Sequence, residues 1–407
     1  MTDPPASPPR TAPPRARRRR GRRLLAIAGI ALVAAVAVKV VWVLALRPDP
    51  ARLLAGGERA DLDARRAYLV SRLTGDPRVS QTMAAPDDGP FRGEWLIGSL
   101  SMTAAASTNM AFEHPALLPR AREDVARLLD RALAPDARAF DAQRWREDPL
   151  DSLDGPHGHA GYLGHLALML GANRLLGGEH RFDAQHDRVA AALARRVSTA
   201  SAAHLETYPG ETYAMDNTVV QAALALHQRA GRGEHQAATA RWLAHTRRHL
   251  LDPRTGLVSF ALDGAGRPTQ GARGSGAGWN SFYLPFVDEA FAAEQFAALK
   301  AHLVLDLPFG GAGVREFPAG VAGSGDVDSG PVVLGISTSG TGFAVAGARH
   351  ARDARLLGRL LTTAEIVGCT VHWRGQRRYL LAPLVGDAIM LAMKTARPWD
   401  RRFLDAK

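Results

Sequence analysis

The sequence predicts an all-α protein: an (α/α)6 toroid of six helical hairpins, preceded by one transmembrane helix. Three observations lead there. Residues 24–46 form an apolar run with a single charge, Lys39. Beyond that run, apolar residues recur at three- and four-residue spacing in twelve blocks, separated by Gly, Pro and Asp. This is the period of helices with one buried face. Polar and aromatic motifs open five of the six even-numbered blocks, so alternate helices would bring their starts to one mouth.

Composition sets the outer limits. The chain has 407 residues and is 46% hydrophobic, enough for a large core. Its formal charge is +11, but residues 1–23 carry eight arginines against one acid, Asp3. The rest of the chain is nearly balanced, which argues against a nucleic-acid partner. Cys369 is the single cysteine. That excludes an internal disulfide framework, a cysteine-built metal site and a catalytic thiol pair. Cys369 lies in an apolar run and reads as a small buried side chain.

In chain order, residues 1–23 read as a disordered basic tail and 24–46 as a membrane anchor. About 20 apolar residues suffice to cross a bilayer. The arginines before the run predict a cytoplasmic N-terminus, hence a single-pass inner-membrane protein with an extracytoplasmic main domain. The run exceeds the roughly 7–15 apolar residues of a signal peptide, so the anchor reads as uncleaved. Residues 47–57 are a linker, and 58–407 form the toroid. Its helices are expected near 58–73, 94–111, 116–133, 160–177, 182–197, 216–230, 234–250, 279–293, 294–304, 331–351, 353–367 and 381–394. Strand-like pieces at Leu257–Leu262 and Thr370–Leu380 are too few for a sheet domain.

The chemistry-bearing motifs follow that frame. Glu94 and Trp95 open the second helix. Tyr162 and His165 lie in the first turns of the fourth, just after His157 and His159. Tyr208, Glu211, Tyr213, Asp216 and Asn217 fall within ten residues before the sixth. Asp216 can cap that helix, while Glu211, flanked by tyrosines, can serve as a general acid or base if desolvated. Trp279 and Tyr283 open the eighth helix and provide aromatic walls. Asp326 and Asp328 lie in a Gly/Ser-rich loop before the tenth. Two acids there suit sugar hydroxyls or a helix cap better than calcium, which demands more ligands at fixed spacing. The small residues Ser337–Gly342 read as close helix packing. His157, His159 and His165 lack a carboxylate partner at a metal-binding spacing, so no metal is expected. No phosphate loop or dinucleotide fingerprint is present, and no cofactor is expected.

Several of these segments resemble the linalool dehydratase/isomerase family over roughly residues 140–365. The similar stretches are Gly161–Met169, Asp216–Val219, His249–Gly256 and Gly325–Gly330, and they run colinearly. The resemblance implies an (α/α)6 barrel and places the family's active-site histidine on His165. It departs at the family's cysteine pair, whose positions here hold Thr207 and Asp216. Carboxylate chemistry by Glu211 and Asp216, with His165, is therefore expected in place of thiol chemistry. Tyr208, Tyr213, Asn217, Trp95, Glu94, Tyr162, Trp279, Tyr283, Asp326 and Asp328 are expected to line the substrate site. The substrate would be hydroxylated, with a glycan first. A terpenoid or lipid-like alcohol, processed by a lyase or isomerase, is the second reading. A non-catalytic glycan- or protein-binding module is the third.

Overall fold

The computed structural model describes residues 15–45, 47–76, 78–79 and 93–399. The chain forms two units, Met1–Arg47 and Pro48–Lys407. In the first, one helix runs Arg15–Ala45, and its segment Arg23–Ala45 is long and apolar enough to cross a membrane. The helix starts inside the stretch expected to be disordered. Arginine is a good helix former, and the last proline of the tail is Pro14. Residues 1–14 of that tail lie outside the described residues.

The second unit is the toroid. Six inner helices run Glu94–Glu113, Ala160–Leu175, Ala214–Arg229, Gly274–Tyr283, Thr338–His350 and Leu384–Thr395. Each packs on the next, and the sixth returns to the first. The outer helices are Arg59–Gly75, Leu118–Ala132, Asp183–Thr199, Gln236–His249, Glu289–His302 and Ala354–Gly368. Side-chain patterns match these positions. Every residue from Leu96 to Phe112 is buried, as an inner helix enclosed on all sides requires. Outer helix Leu118–Ala132 buries the stripe Ala121, Val125, Leu128, Leu129 and Ala132.

Polar side chains close the ring. Trp399 donates to Asn109 Oδ1 (2.6 Å), and Asn109 Nδ2 donates to Thr395 Oγ1 (3.1 Å), joining the first and sixth inner helices. Arg65 of the first outer helix faces Asp61, Glu365 and Asp387 and donates to Thr370 Oγ1 at 3.1 Å. Glycines bring the fourth and fifth inner helices together. A Cβ on Gly340 would stand 2.7 Å from Gly274 O, and one on Gly278 2.9 Å from Gly340 O. Ser337 caps the fifth helix by accepting from Gly340 N at 3.0 Å. The Ser337–Gly342 stretch is thus a cap and a packing seam.

Several elements differ from the expectation. The fourth inner helix ends at Tyr283, not near 293; a 3-10 turn at Leu284–Phe286 contains Pro285, and Asp288 caps the next helix through Phe291 N (2.7 Å). The fifth inner helix starts at Thr338, not 331, because Val332–Val333 and Ile336–Ser337 pair as strands. They extend a four-stranded sheet with Val304–Leu307 and Gly311–Arg315. A short helix, Pro135–Trp145, was not expected. Three small sheets occupy the connections leading into the third to sixth inner helices.

Candidate active site

The starts of the inner helices converge, and the convergence is electrostatic as well as spatial. Glu94 begins the first inner helix, Asp216 lies in the first turn of the third, and Asp328 precedes the fifth. Desolvation raises the Asp216 carboxyl to about 6, opposed by a hydrogen bond from Thr207. Thr207 Oγ1 donates to Asp216 Oδ2 at 2.7 Å. Glu94 is raised well above the usual carboxylate range by desolvation and by the charges of Asp328 and Asp216; Tyr208 and Arg144 oppose this. Asp328 is raised by desolvation and by Asp326 and Asp216, with Arg273 opposing. Glu94 and Asp328 keep part of their surface exposed, yet protein surrounds their carboxyl groups closely enough to desolvate them. The Asp216 charge thus acts on Glu94 and Asp328 in one mouth and favours their protonated forms.

Aromatic side chains form the floor. His165 lies edge-on to Trp279 (5.5 Å between centroids) and to Tyr283 (6.2 Å). Trp279 Nε1 donates to Met215 O at 3.1 Å, tying the fourth inner helix to the third beside Asp216. Burial lowers His165 to about 4, so its imidazole is neutral, and its Nδ1 has no hydrogen-bond partner. Tyr283 is fully buried, and burial together with the Asp216 charge raises its hydroxyl, which donates to Met102 Sδ at 3.7 Å. Tyr208 is raised by desolvation and by the charges of Glu94 and Asp216, and it hydrogen-bonds Glu94.

Several expected residues stand elsewhere or do other work. Glu211 pairs with Arg144 and accepts from Tyr213 Oη at 3.0 Å, and its side chain is 37% exposed. The desolvated acids are Glu94, Asp216 and Asp328 instead, because Arg144 from the unexpected helix Pro135–Trp145 takes up the Glu211 charge. Asn217 Oδ1 accepts from Leu205 N (2.7 Å), and Nδ2 donates to Leu205 O and Tyr213 O (both 2.9 Å). Its amide fastens the loop before the third inner helix rather than facing substrate. Tyr162 points outward and donates to Ala132 O at 3.0 Å, within the core. Asp326 accepts from Arg273 Nη1 (2.6 Å) and from the backbone N–H groups of Asp328 and Ser329, shaping the loop that presents Asp328. Tyr213 packs edge-on against Phe260, and Trp95 is half-buried at the start of the first inner helix.

Sequence reading missed Arg144 and Glu147, which lie in or just after a helix it did not expect. Arg144 lies over the Tyr208 ring at 4.3 Å. Trp145 Nε1 donates to Thr207 O at 3.2 Å. The one available signal was Trp145 itself, a large aromatic at the end of a short apolar repeat.

No protein-family model matches the chain. Among solved structures it is similar to an unsaturated glucuronyl hydrolase specific for heparin. The TM-score is 0.50 at 12% identity, covering 83% of this chain and 96% of that one. At that identity the likeness establishes the (α/α)6 toroid and nothing finer.

Proposed function

We propose that this protein is a glycan-processing enzyme that uses carboxyl acid/base chemistry at the mouth of its toroid. The observation carrying this reading is the meeting of Glu94, Asp216 and Asp328, all desolvated, from three separate inner-helix starts. Such an arrangement separates roles by environment. Asp328, the more strongly raised, holds a proton at neutral pH and acts as general acid. Asp216, near 6, is ionised above that pH and acts as general base, positioned by Thr207. Glu94 and Tyr208 share a hydrogen bond beside them and orient a sugar hydroxyl. Trp279 and Tyr283 are buried behind His165 and hold its ring in place beneath the mouth.

The unsaturated glucuronyl hydrolase of the same fold is specific for heparin, which supports trying acidic oligosaccharides first. The N-terminal apolar helix serves in this reading as an uncleaved anchor, with the arginine-rich tail in the cytoplasm and the toroid outside. The terpenol chemistry implied by the linalool dehydratase/isomerase resemblance forms the second arm of the test.

The test incubates full-length protein in detergent with acidic and neutral oligosaccharides and, separately, with terpenols, and reads products by mass spectrometry. The expected result is sugar turnover that falls about 100-fold or more in Asp216→Asn and in Asp328→Asn, the size of one lost acid/base group. Turnover of terpenols alone, or sugar turnover unchanged in both variants, would refute the reading.

A further inference from the structure

We infer that Glu147, His157 and His159 form a divalent-cation site on the rim of the mouth, and that zinc is the cation they fit best. One atom from each residue lies within 4.8 Å of the other two. Glu147 Oε1 is 2.8 Å from His157 Nδ1 and 3.0 Å from His159 Nε2. Around a tetrahedral zinc with bonds of about 2.0–2.2 Å, ligand atoms stand about 3.4 Å apart. The two Glu147 contacts would open by about 0.4–0.6 Å to admit the ion, and the two histidine nitrogens, within 4.8 Å of each other, would take up the same spacing. Two imidazoles and a carboxylate are the ligand types zinc takes, with a fourth position left for water or a substrate oxygen.

The surroundings prepare these groups. Asp141 is wholly buried, and its Oδ2 lies 2.5 Å from His159 Nδ1. This contact fixes the proton on Nδ1 and leaves the Nε2 lone pair facing Glu147, which is how an outer carboxylate orients a metal-bound histidine. Trp145 stacks on the His157 ring (5.0 Å between centroids, 28°) and packs at 4.7 Å on that of His159. His159 holds a left-handed backbone, φ +48°, a conformation that strains any residue but glycine. Gly158 fits where a Cβ would meet Glu206 O at 2.1 Å. Arg196 donates to the carbonyls of Ser152, Leu153, Gly155 and Gly158, holding the loop from behind. Together Asp141 and Glu147 bring two carboxylates to the cluster, the charge that a divalent ion carries in the opposite sign.

The site is distinct from the three mouth acids but touches them through Trp145. That side chain packs on both histidines and holds Thr207 O, and Thr207 in turn holds Asp216. The cation would therefore clamp the rim that positions Asp216.

The test uses full-length protein carrying no histidine tag, stripped with chelator, then titrated with zinc by calorimetry and counted by elemental analysis. Cobalt(II) serves as a second probe through its visible absorption. The expected result is one zinc per chain and a tetrahedral cobalt spectrum. His157→Ala and Glu147→Gln, both at accessible positions, are each expected to weaken binding at least tenfold with folding intact. Asp141→Asn is expected to weaken it about 10- to 100-fold through lost orientation. Absence of bound zinc in the wild type would overturn the inference. Equal zinc binding by the double variant His157→Ala/Glu147→Gln would overturn it too, since the metal would then be held elsewhere.

Discussion

A carboxylate in a desolvated pocket destabilises the fold whenever it ionises, and Asp216 is such a group. Its carboxyl is raised from 3.8 to about 6 by burial, with only the Thr207 hydroxyl in opposition. Between those two values the folded chain holds a proton that the unfolded chain has released, so stability falls as pH rises through that window. The loss amounts to roughly 3 kcal/mol. Asp216→Asn is therefore expected to match the wild type at pH 4 and to exceed its unfolding free energy by up to roughly 3 kcal/mol at pH 8. Chemical denaturation at the two pH values reads this directly, and a variant less stable at pH 8 would contradict the burial argument. Asp216 was legible in the sequence because it opens an apolar helix in the middle of a polar, aromatic segment. Glu211 looked equally suitable there. Its partner Arg144 stands 67 positions away, and sequence spacing carries no sign of that contact. Glu94 was legible as a helix start that lines the mouth; its proximity to Asp328 exists only once the ring has closed.

At the scale of elements, small residues decide how closely the inner helices approach. Gly340 faces the backbone of Gly274 and Ser275, and a Cβ there would stand 2.7–3.1 Å from those atoms. Backbone cannot swing aside as a flexible side chain can. Gly340→Ala is expected to cost about 1–3 kcal/mol. Gly264→Ala, on an exposed loop where a Cβ meets nothing within 4 Å, is expected to be nearly neutral. Thermal unfolding of the two variants decides the point; equal shifts would mean the seam has slack. The twelve long helices were legible because each repeats its apolar stripe over several turns. The helix Pro135–Trp145 was not, because only Ala137, Phe140, Asp141 and Trp145 of its 11 residues are buried, too few to mark a face. The break at Leu284–Asp288 was hidden in a continuous apolar run, where Pro285 is the local cause. The strands at Val332–Ser337 are two residues each, too short for an alternating pattern to show.

For the toroid as a whole, closure turns local motifs into a site. The first and sixth inner helices are separated by most of the sequence, yet Asn109, Thr395 and Trp399 join them, while Arg65 and Lys394 bind the first outer helix to the last inner one. Removing one partner from a buried charge network of this kind leaves the others uncompensated, so ring closure and the geometry of the mouth depend on the same contacts. The closed ring carries Glu94, Asp216 and Asp328 into one another's fields, and this convergence is the central claim. The alternation of motif-bearing and plain helices predicted it from sequence, although which acids would be desolvated depended on distant arginines. Binding at that mouth is tested most directly by thermal unfolding of full-length protein with millimolar oligosaccharides or terpenols, comparing wild type with Asp216→Asn. A ligand that binds only the folded state raises its stability as RT ln(1 + [L]/Kd). The account predicts that an acidic oligosaccharide raises the midpoint of the wild type and leaves that of Asp216→Asn unmoved. A shift with terpenols alone, or an equal sugar shift in both proteins, would contradict it.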